Sequence, residues 1–230
     1  MEGLLKLKRR HFNALLSSLC ALAIAGSFGS ALAQMPAQAA SSSAPAILVV
    51  GDSLSAEYGL KRGTGWVALL SETLAEEKVK ARVVNASISG DTTSGGRSRI
   101  AALLKQHKPK WVVIELGGND ALRGLPLNMT RDNLATMARL SREAGAQVLL
   151  LGMEMPPNYG AKYAQEFRDL YTTVAKTEKA ALVPFFLKGV ADTKDPTALF
   201  QADRIHPNER AQATMRDNVW PELRKLITRR

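Results

Sequence analysis

Five short apolar runs, separated by stretches with helical spacing, constrain the fold of this chain more than any other feature of its sequence. The runs are Ala46–Val50, Arg82–Asn85, Trp111–Leu116, Gln147–Met153 and Leu182–Phe186. Their length and their Val, Ile and Leu content favour buried β-strands. Strands that alternate with helices form parallel sheets, because each parallel pair needs a crossover connection. The order therefore predicts an α/β fold in which a parallel sheet of five strands carries helices on both faces.

Helix signals occupy the segments between and after these runs. Trp66–Val79 places apolar residues on roughly one face, and Leu134–Ala144 ends at Gly145, a residue type common just past a helix C-terminus. Further helices are predicted at Arg97–His107, Ala161–Lys179 and Asn208–Ile227. In such a fold, functional groups collect beyond the carboxyl ends of the strands.

The N-terminal segment has the pattern of a secretory signal peptide. Four Lys/Arg residues within the first ten precede an apolar stretch from Ala14 to about Ala25, and Ala31-Leu32-Ala33 follows. The alternative is an uncleaved membrane anchor, which is disfavoured because serines and glycines dilute the apolar stretch. Arg9-Arg10 also fits a twin-arginine export signal, and the sequence does not choose between the two export routes.

These boundaries divide the chain into three parts. We expect residues 1–33 to be a cleaved signal peptide, residues 34–45 to be a flexible leader rich in Ala, Ser and Pro, and residues 46–230 to be a single domain. The predicted location is therefore the periplasm or the cell exterior. Cys20, the only cysteine, falls in the signal peptide, so disulfides, zinc–thiolate sites and cysteine nucleophiles are excluded in the domain.

The chain is basic, with a formal net charge of +10, and this charge bears on its partners. Nucleic-acid binding is disfavoured, because basic and aromatic residues are not interleaved and export removes the chain from the cytoplasm. A basic exported protein is attracted to anionic lipid head groups, which allows a weak association with membrane surfaces. The alternative that we favour is a solvated basic surface without a partner.

The segment Gly51-Asp52-Ser53-Leu54-Ser55 places a serine hydroxyl in a tight turn directly after the first strand. Ligands of open α/β sheets bind at this position, and a strand-to-helix turn presents backbone N–H groups to a developing anion. Gly-Asp-Ser is also a common turn, so the motif alone is a weak signal. The Gly-x-Ser-x-Gly motif of ordinary α/β-hydrolases is absent, because position 55 is serine.

Three later segments supply the partners that a nucleophilic serine needs. Gly90 lies in a polar turn after the second strand, Asn119 follows two glycines after the third, and Asp203 and His206 precede the last helix. Each segment alone is more often an ordinary turn or helix start. A serine attacks an ester only if a base takes its proton, an acid orients that base and donors receive the oxyanion. Ser53, His206, Asp203, and Gly90 with Asn119 match these roles in that order.

Elimination strengthens the assignment of His206 as the base. His11 falls in the predicted signal peptide, and His107 lies at a predicted helix end, where a cation suits the helix dipole. His206 precedes Pro207, which disfavours the α region and holds the histidine just ahead of the last helix.

Together these blocks resemble the SGNH (GDSL-type) hydrolases, a family named for Ser, Gly, Asn and His residues in separate segments. Here these residues are Ser53, Gly90, Asn119 and His206, and the resemblance runs from about residue 47 to about residue 226. It is especially close to the bacterial periplasmic subgroup of acyl-thioesterases, lysophospholipases and arylesterases. The segments that resemble this subgroup in detail are Val84–Thr92, Leu103–His107 and Glu115–Gly124.

The resemblance implies a three-layer α/β/α sandwich with a flavodoxin-like, five-stranded parallel sheet. It implies an oxyanion hole formed by the N–H groups of Ser53 and Gly90 and by the Asn119 side chain. It further implies that Asp203 orients His206, and that the reaction uses neither a metal nor a cofactor.

By the same resemblance, the loop after Asn119 covers the acyl chain of the substrate. The candidate contacts in this loop and in the loop after the fourth strand are Leu122, Leu125, Met155, Pro156 and Tyr159. Apolar loop residues just as often close a core, which is the alternative for each. Glu57 and Arg204 stand where the subgroup leads us to expect small residues. Arg204 either lowers the basicity of His206, contacts an anionic head group or points to solvent, and we favour the last.

The sequence therefore predicts an exported serine esterase that hydrolyses carboxylic esters and thioesters of short to medium acyl chains. Its expected partners are small ester, thioester or lysophospholipid substrates, and we expect a monomer. Acyl-CoA is cytoplasmic, so lysophospholipids or simple esters suit the predicted location better. Two alternatives stay open: an esterase acting on acylated cell-envelope glycans, and a non-catalytic protein that binds acyl chains or lysolipids. The complete set of five site positions argues against the second.

Overall fold

Five parallel strands form the central sheet. In chain order they are Ala46–Gly51 (β1), Arg82–Asn85 (β2), Trp111–Glu115 (β3), Gln147–Leu151 (β4) and Ala181–Val183 (β5). Across the sheet their order is β2-β1-β3-β4-β5, which is the flavodoxin-like order, and all neighbours are parallel. The predicted α/β fold class is thus confirmed.

Six α-helices and two short 3₁₀ helices connect and cover the strands within the described residues. The α-helices are Trp66–Glu76 (α1), Thr93–His107 (α2), Gly118–Leu122 (α3), Leu127–Glu143 (α4), Ala161–Thr177 (α5) and Gln212–Thr228 (α6). The 3₁₀ helices span Pro157–Tyr159 and Glu209–Ala211. α1 packs beside α6, whereas α2, α4 and α5 pack side by side, so the sheet lies between two helical layers.

The computed structural model describes residues 44–155, 157–195 and 197–229. The predicted signal peptide and almost all of the predicted leader lie outside this range. Within it, no helix is both long enough and apolar enough to cross a membrane.

The middle of the sheet is the core, and the two edge strands are not fully buried. Ile47 to Val50 of β1 have no exposed surface, and β3 is buried throughout. The prediction of five buried strands is wrong for β2, whose residues are half-buried or exposed, and for β5, where only Val183 is buried. Each edge strand has a neighbour on one side only, which leaves its other side open.

The ends of several strands and helices differ from the predicted ones, because the apolar pattern does not mark these ends. β3 and β4 end earlier than predicted, and β5 ends at Val183 because Pro184 has no N–H to donate. α2 and α4 begin earlier than predicted, since their first turns carry little apolar signal. The last helix does not begin at Asn208, which instead caps a 3₁₀ turn by accepting the N–H of Arg210. Gly145 does follow α4, with a φ of 86°.

The strand order fixes where a site can form. β1 lies between β2 and β3, and the connections that leave β1 and enter β3 run along opposite faces of the sheet. A crevice opens at such a reversal, beyond the carboxyl ends of the two central strands. Ser53 follows β1 and Asn119 follows β3, so both residues lie at this crevice.

Candidate active site

The turn that carries Ser53 is held by the preceding aspartate. The carbonyl oxygen of Asp52 accepts the N–H of Ala56 at 2.9 Å, and its Oδ1 accepts the N–H of Leu54 at 3.0 Å. Asp52 is buried, whereas Ser53 is half-buried. The turn thus fixes the backbone of Ser53 and leaves its hydroxyl accessible at the end of the sheet.

Ser53, His206 and Asp203 form a continuous chain of polar contacts. His206 Nε2 lies 3.0 Å from Ser53 Oγ, and His206 Nδ1 lies 2.7 Å from Asp203 Oδ2. Asp203 Oδ1 accepts the backbone N–H groups of His206 at 3.0 Å and Ile205 at 2.9 Å. These backbone hydrogen bonds, with the contact to the imidazole, lower the pKa of Asp203 to about 2. A charged Asp203 accepts Nδ1–H, which leaves Nε2 free to accept the serine proton.

An aromatic ring supports the imidazole from one side. The ring centroids of Tyr58 and His206 are 4.3 Å apart, with an angle of 37° between the planes. Tyr58 belongs to the loop that follows the serine turn, so the segment that carries Ser53 also contacts the His206 ring. This contact could not be predicted from the sequence.

Gly90 and Asn119 approach Ser53 from opposite sides. The N–H of Ile88 donates to the carbonyl of Gly51 at 3.0 Å, which ties the loop after β2 to the end of β1. Asn119 Nδ2 donates to Asp52 Oδ2 at 3.0 Å, which ties the loop after β3 to the serine turn. Gly90 has a φ of 78°, a conformation that glycine adopts without strain.

The N–H groups of Ser53, Gly90 and Asn119 are available to a ligand. Within residues 44–155, 157–195 and 197–229, the N–H groups of Ser53 and Gly90 donate to no protein acceptor. Asn119 uses one of its two amide hydrogens on Asp52 and keeps the other. Ser53, Gly90 and Asn119 therefore offer three N–H donors of the kind that stabilise a negative oxygen.

A buried pair of carboxyl groups lies beneath the serine turn. Glu115 Oε2 accepts the hydroxyl of Ser55 at 2.7 Å and the N–H of Asp52 at 3.3 Å. Burial raises the pKa of Asp52 to about 6. Burial and then the charge of Asp52 raise the pKa of Glu115 well above its usual range. Glu115 therefore keeps its proton to higher pH than an exposed carboxyl group does, and Asp52 is the member of the pair that holds Asn119.

The same pair explains the other positions of the Gly51–Ser55 motif. A Cβ at Gly51 would lie 2.7 Å from Glu115 Oε2, so a side chain there would displace the carboxyl group. Ser55 donates to Glu115 and accepts the indole N–H of Trp66 at 3.2 Å. The glycine and the second serine are thus structural, and they keep the carboxyl pair in place.

Two arginines that the sequence analysis missed hold the loop after β2. Arg99 forms an ion pair with Asp91 at 2.8 Å and donates to the carbonyl of Ala86. Arg123 Nη2 donates to the carbonyl of Gly90 at 2.8 Å. Neither arginine carries a sequence signal, because its contacts with the loop form only once the chain is folded. Asp52 could have been found, since it stands inside the motif, and Glu115 is an acidic residue that ends an apolar run.

The predicted acyl-chain contacts lie at the same end of the sheet but differ in exposure. Leu122 is 44% exposed and Tyr159 is 40% exposed, while Leu125 is half-buried. Met155 is partly buried against the core, as expected if it closes the core rather than contacts an acyl chain. Pro156 lies outside the described residues. The hydroxyl of Tyr163 is 3.5 Å from the carbonyl of Ala121, so α5 and α3 meet near these side chains.

Glu57 contacts its own loop, and Arg204 points away from the core. The Glu57 carboxylate accepts the N–H of Gly63 at 2.9 Å and of Gly65 at 2.8 Å, so it closes its own loop. Arg204 is exposed and has a φ of 58°. The residues described contain no group of three His, Cys, Asp or Glu side chains placed to bind a metal ion.

Known proteins resemble this chain over most of its length. Residues 49–214 match the family model described as GDSL-like lipase/acylhydrolase. The chain is 54% identical over 184 residues to esterase TesA of Pseudomonas aeruginosa, which covers 80% of this chain and 90% of that protein. It is 41% identical over 184 residues to thioesterase 1/protease 1/lysophospholipase L1 of Escherichia coli K12, with 80% and 86% covered.

A solved structure is similar to this chain in its fold. It is the psychrotrophic esterase EstA from Pseudoalteromonas sp., inhibited by monoethylphosphonate. The TM-score is 0.74 at 39% identity, with 80% of this chain and 99% of that chain covered.

Proposed function

Because this chain belongs to the GDSL-like lipase/acylhydrolase family, we propose that it is a serine esterase that uses Ser53, His206 and Asp203. It hydrolyses carboxylic esters and thioesters of short to medium acyl chains. The observation that carries the proposal is the 3.0 Å contact between Ser53 Oγ and His206 Nε2, together with the 2.7 Å contact of the imidazole with Asp203.

The contacts specify how each group acts. His206 Nε2 takes the hydroxyl proton as Ser53 Oγ attacks the acyl carbon, and Asp203 stabilises the imidazolium that forms. The tetrahedral intermediate expels the alcohol or thiol, which receives the proton from His206. Water then attacks the acyl-enzyme with His206 as base, and the carboxylic acid leaves.

The negative oxygen of the intermediate is stabilised by the N–H groups of Ser53 and Gly90 and by the second amide hydrogen of Asn119. These donors are fixed before the reaction begins, because Asp52 holds Asn119 and Arg123 holds the carbonyl of Gly90. Preorganised donors of this kind give a large part of the rate acceleration in acyl transfer.

The N-terminal sequence supports a proposed location outside the cytoplasm. Residues 1–33 have the charge and apolar pattern of a signal peptide, and the domain that follows lacks cysteine. An exported esterase does not meet acyl-CoA, so lysophospholipids or simple esters are its proposed substrates. The relative from Escherichia coli carries both thioesterase and lysophospholipase in its name.

The first test is hydrolysis of p-nitrophenyl esters, from acetate to palmitate, by the protein and by Ser53→Ala. Removing the nucleophile lowers kcat by about 10⁴–10⁶. Ser98→Ala, at an exposed serine of α2, is the matched control and keeps full activity. A loss below tenfold for Ser53→Ala contradicts the mechanism. A preference for acetate over octanoate favours the glycan esterase instead.

A covalent label tests the assignment of the nucleophile independently of turnover. An activated alkyl phosphonate ester reacts when Oγ attacks phosphorus and the activating group leaves, which adds one phosphonyl group to the protein. We expect one added group per chain, on the peptide that contains Ser53, and none in Ser53→Ala. A label on another serine, or none at all, sinks the proposal.

A further inference from the structure

Five large apolar side chains remain substantially exposed in the described part of the chain, and all five lie at the catalytic end of the sheet. They are Tyr58, Ile88, Leu122, Tyr159 and Ile205, each between 40% and 53% exposed. Single exposed apolar residues scattered over a surface are normal, but a group at one end marks a contact surface. We call these five residues the apolar rim.

Each residue of the apolar rim comes from a different loop around Ser53. Tyr58 follows β1, Ile88 follows β2, Leu122 lies in the short helix after β3, and Tyr159 lies in the 3₁₀ helix after β4. Ile205 stands directly before His206 in the loop that carries the catalytic base.

The local contacts bring the members of the rim close to the nucleophile. The Tyr58 ring lies 4.3 Å from the His206 ring, and the N–H of Ile88 is bonded to the end of β1. Leu122 closes the helix that contains Asn119. Tyr58, Ile88 and Leu122 therefore lie beside the elements that hold His206, Ser53 and Asn119.

Exposed cations accompany the rim at this end. Lys61, Arg62, Arg123 and Arg204 are exposed, and none of the four forms an ion pair with a described residue.

The acidic groups at the same end are mostly engaged. Asp91 pairs with Arg99 and Glu154 pairs with Arg168, whereas Asp203 and Glu57 keep their charges and are held by His206 and by backbone N–H groups. The loop after β5 adds two lysines and two aspartates, which balance. The catalytic end thus carries exposed, unpaired cations around its apolar rim.

We propose that the apolar rim and these four cations dock the molecule on the surface of an anionic lipid aggregate. Tyrosine rings, with an apolar body and a polar tip, suit the boundary between head groups and acyl chains, and Ile and Leu enter below it. The cations meet the anionic head groups. The inference rests on the proposed esterase activity for one point only, that the ester cleaved by Ser53 belongs to a lipid of that surface.

Vesicle binding by the full chain tests the proposal without any turnover. Ser53→Ala protein is mixed with phosphatidylglycerol vesicles or phosphatidylcholine vesicles, and the bound fraction is measured by sedimentation at low and at physiological ionic strength. We expect binding to phosphatidylglycerol that weakens with salt, and much weaker binding to phosphatidylcholine. Residues 1–43 are identical in all variants, so their contribution cancels when variants are compared.

Matched variants separate the docking surface from the general charge of the chain. Each Lys or Arg near an anionic surface strengthens binding about fivefold, so Lys61→Glu with Arg62→Glu weakens it by about 25-fold or more. Lys80→Glu with Lys108→Glu makes the same change of charge before β2 and β3, at the opposite end of the sheet, and leaves binding nearly intact. Ile88→Ser weakens binding roughly fivefold through its lost apolar area.

The outcomes are decisive in both directions. Equal losses from the two charge-reversed pairs, no loss from Ile88→Ser, or no binding to phosphatidylglycerol would overturn the docking surface. An inactive esterase that still binds these vesicles through the rim would refute the proposed function and leave the surface standing. Binding of the rim to a protein, with no binding to vesicles, also overturns the proposal.

Discussion

Two carboxyl groups with different tasks lie beneath the nucleophile. Asp52 accepts the amide of Asn119, so its charge orients an oxyanion donor. Glu115 accepts Ser55 and the backbone of Asp52 in a fully buried position, where a second charge would be costly. Two close carboxyl groups seldom both ionise in a buried site, and the more deeply buried one keeps its proton. Glu115 therefore serves the fold, and Asp52 holds Asn119 at the site.

Glu115→Gln tests whether this side chain is neutral in the fold. The pKa of Glu115 is raised, so its proton stabilises the fold fully at low pH, and this contribution is lost as pH rises above the ordinary value of 4.5. Glutamine matches the neutral acid and lacks that loss. We expect the free energy of unfolding of the variant, relative to the parent, to rise by more than about 1 kcal/mol between pH 5 and pH 8.

Urea unfolding at the two pH values provides the measurement for Glu115→Gln. Glu115→Ala serves as the comparison, because it leaves a cavity and unpaired polar groups at Ser55 and Asp52. Its free energy of unfolding falls by about 2 kcal/mol or more at both pH values. If the difference between Glu115→Gln and the parent is the same at pH 5 and pH 8, Glu115 is not held neutral.

At the scale of elements, the apolar pattern predicted the strands, and the ends of those strands predicted where candidate site residues lie. All five strands were predicted, and Ser53, Gly90 and Asn119 were predicted as site residues because each follows a strand of the predicted sheet. α3 was missed because five residues are too few to show a helical period. The carboxyl pair was missed because the contact between Asp52 and Glu115 exists only once β1 and β3 are neighbours.

The close packing of α2 against the rest of the domain gives an element-scale prediction. Gly96 of α2 is buried, and a Cβ there would overlap Leu116 and lie 3.0 Å from Met137 Sδ in α4. Within a helix, alanine is more favourable than glycine by about 1 kcal/mol. Overpacking costs about 1–3 kcal/mol and opposes this gain. We expect Gly96→Ala to lower the free energy of unfolding and, because Leu116 leads into the Asn119 loop, to lower kcat as well.

Ala102→Gly provides the opposite substitution at an exposed position of the same helix. It changes helix propensity without any clash, so its cost in urea unfolding stays at about 1 kcal/mol, with kcat unchanged. A Gly96→Ala protein that is more stable than the parent would show that α2 can move away from α4 and the sheet. It would also remove packing as the reason for glycine at this position.

At the scale of the whole molecule, function is concentrated at one end. The sheet order places the loops after β1, β2 and β3 side by side, and the same loops carry the proposed nucleophile, the proposed oxyanion donors and most of the apolar rim. At the opposite end, α2 terminates in Lys108, whose backbone is in the left-handed conformation. An enzyme whose substrate arrives from a surface, rather than from free solution, needs this concentration of functional groups at one end.

The proposed export of the chain gives the last prediction. Expressed from residue 1 in a bacterium with a periplasm, the chain should be recovered from the periplasmic fraction with Gln34 as its first residue, as read by mass spectrometry. Ala33→Asp puts a charge where the signal peptidase needs a small residue, so the longer form should accumulate. Ala39→Asp makes the same change beyond the cleavage site and should be processed normally. A protein that keeps Met1 and stays in the cytoplasm would refute export, and with it the argument against acyl-CoA as substrate.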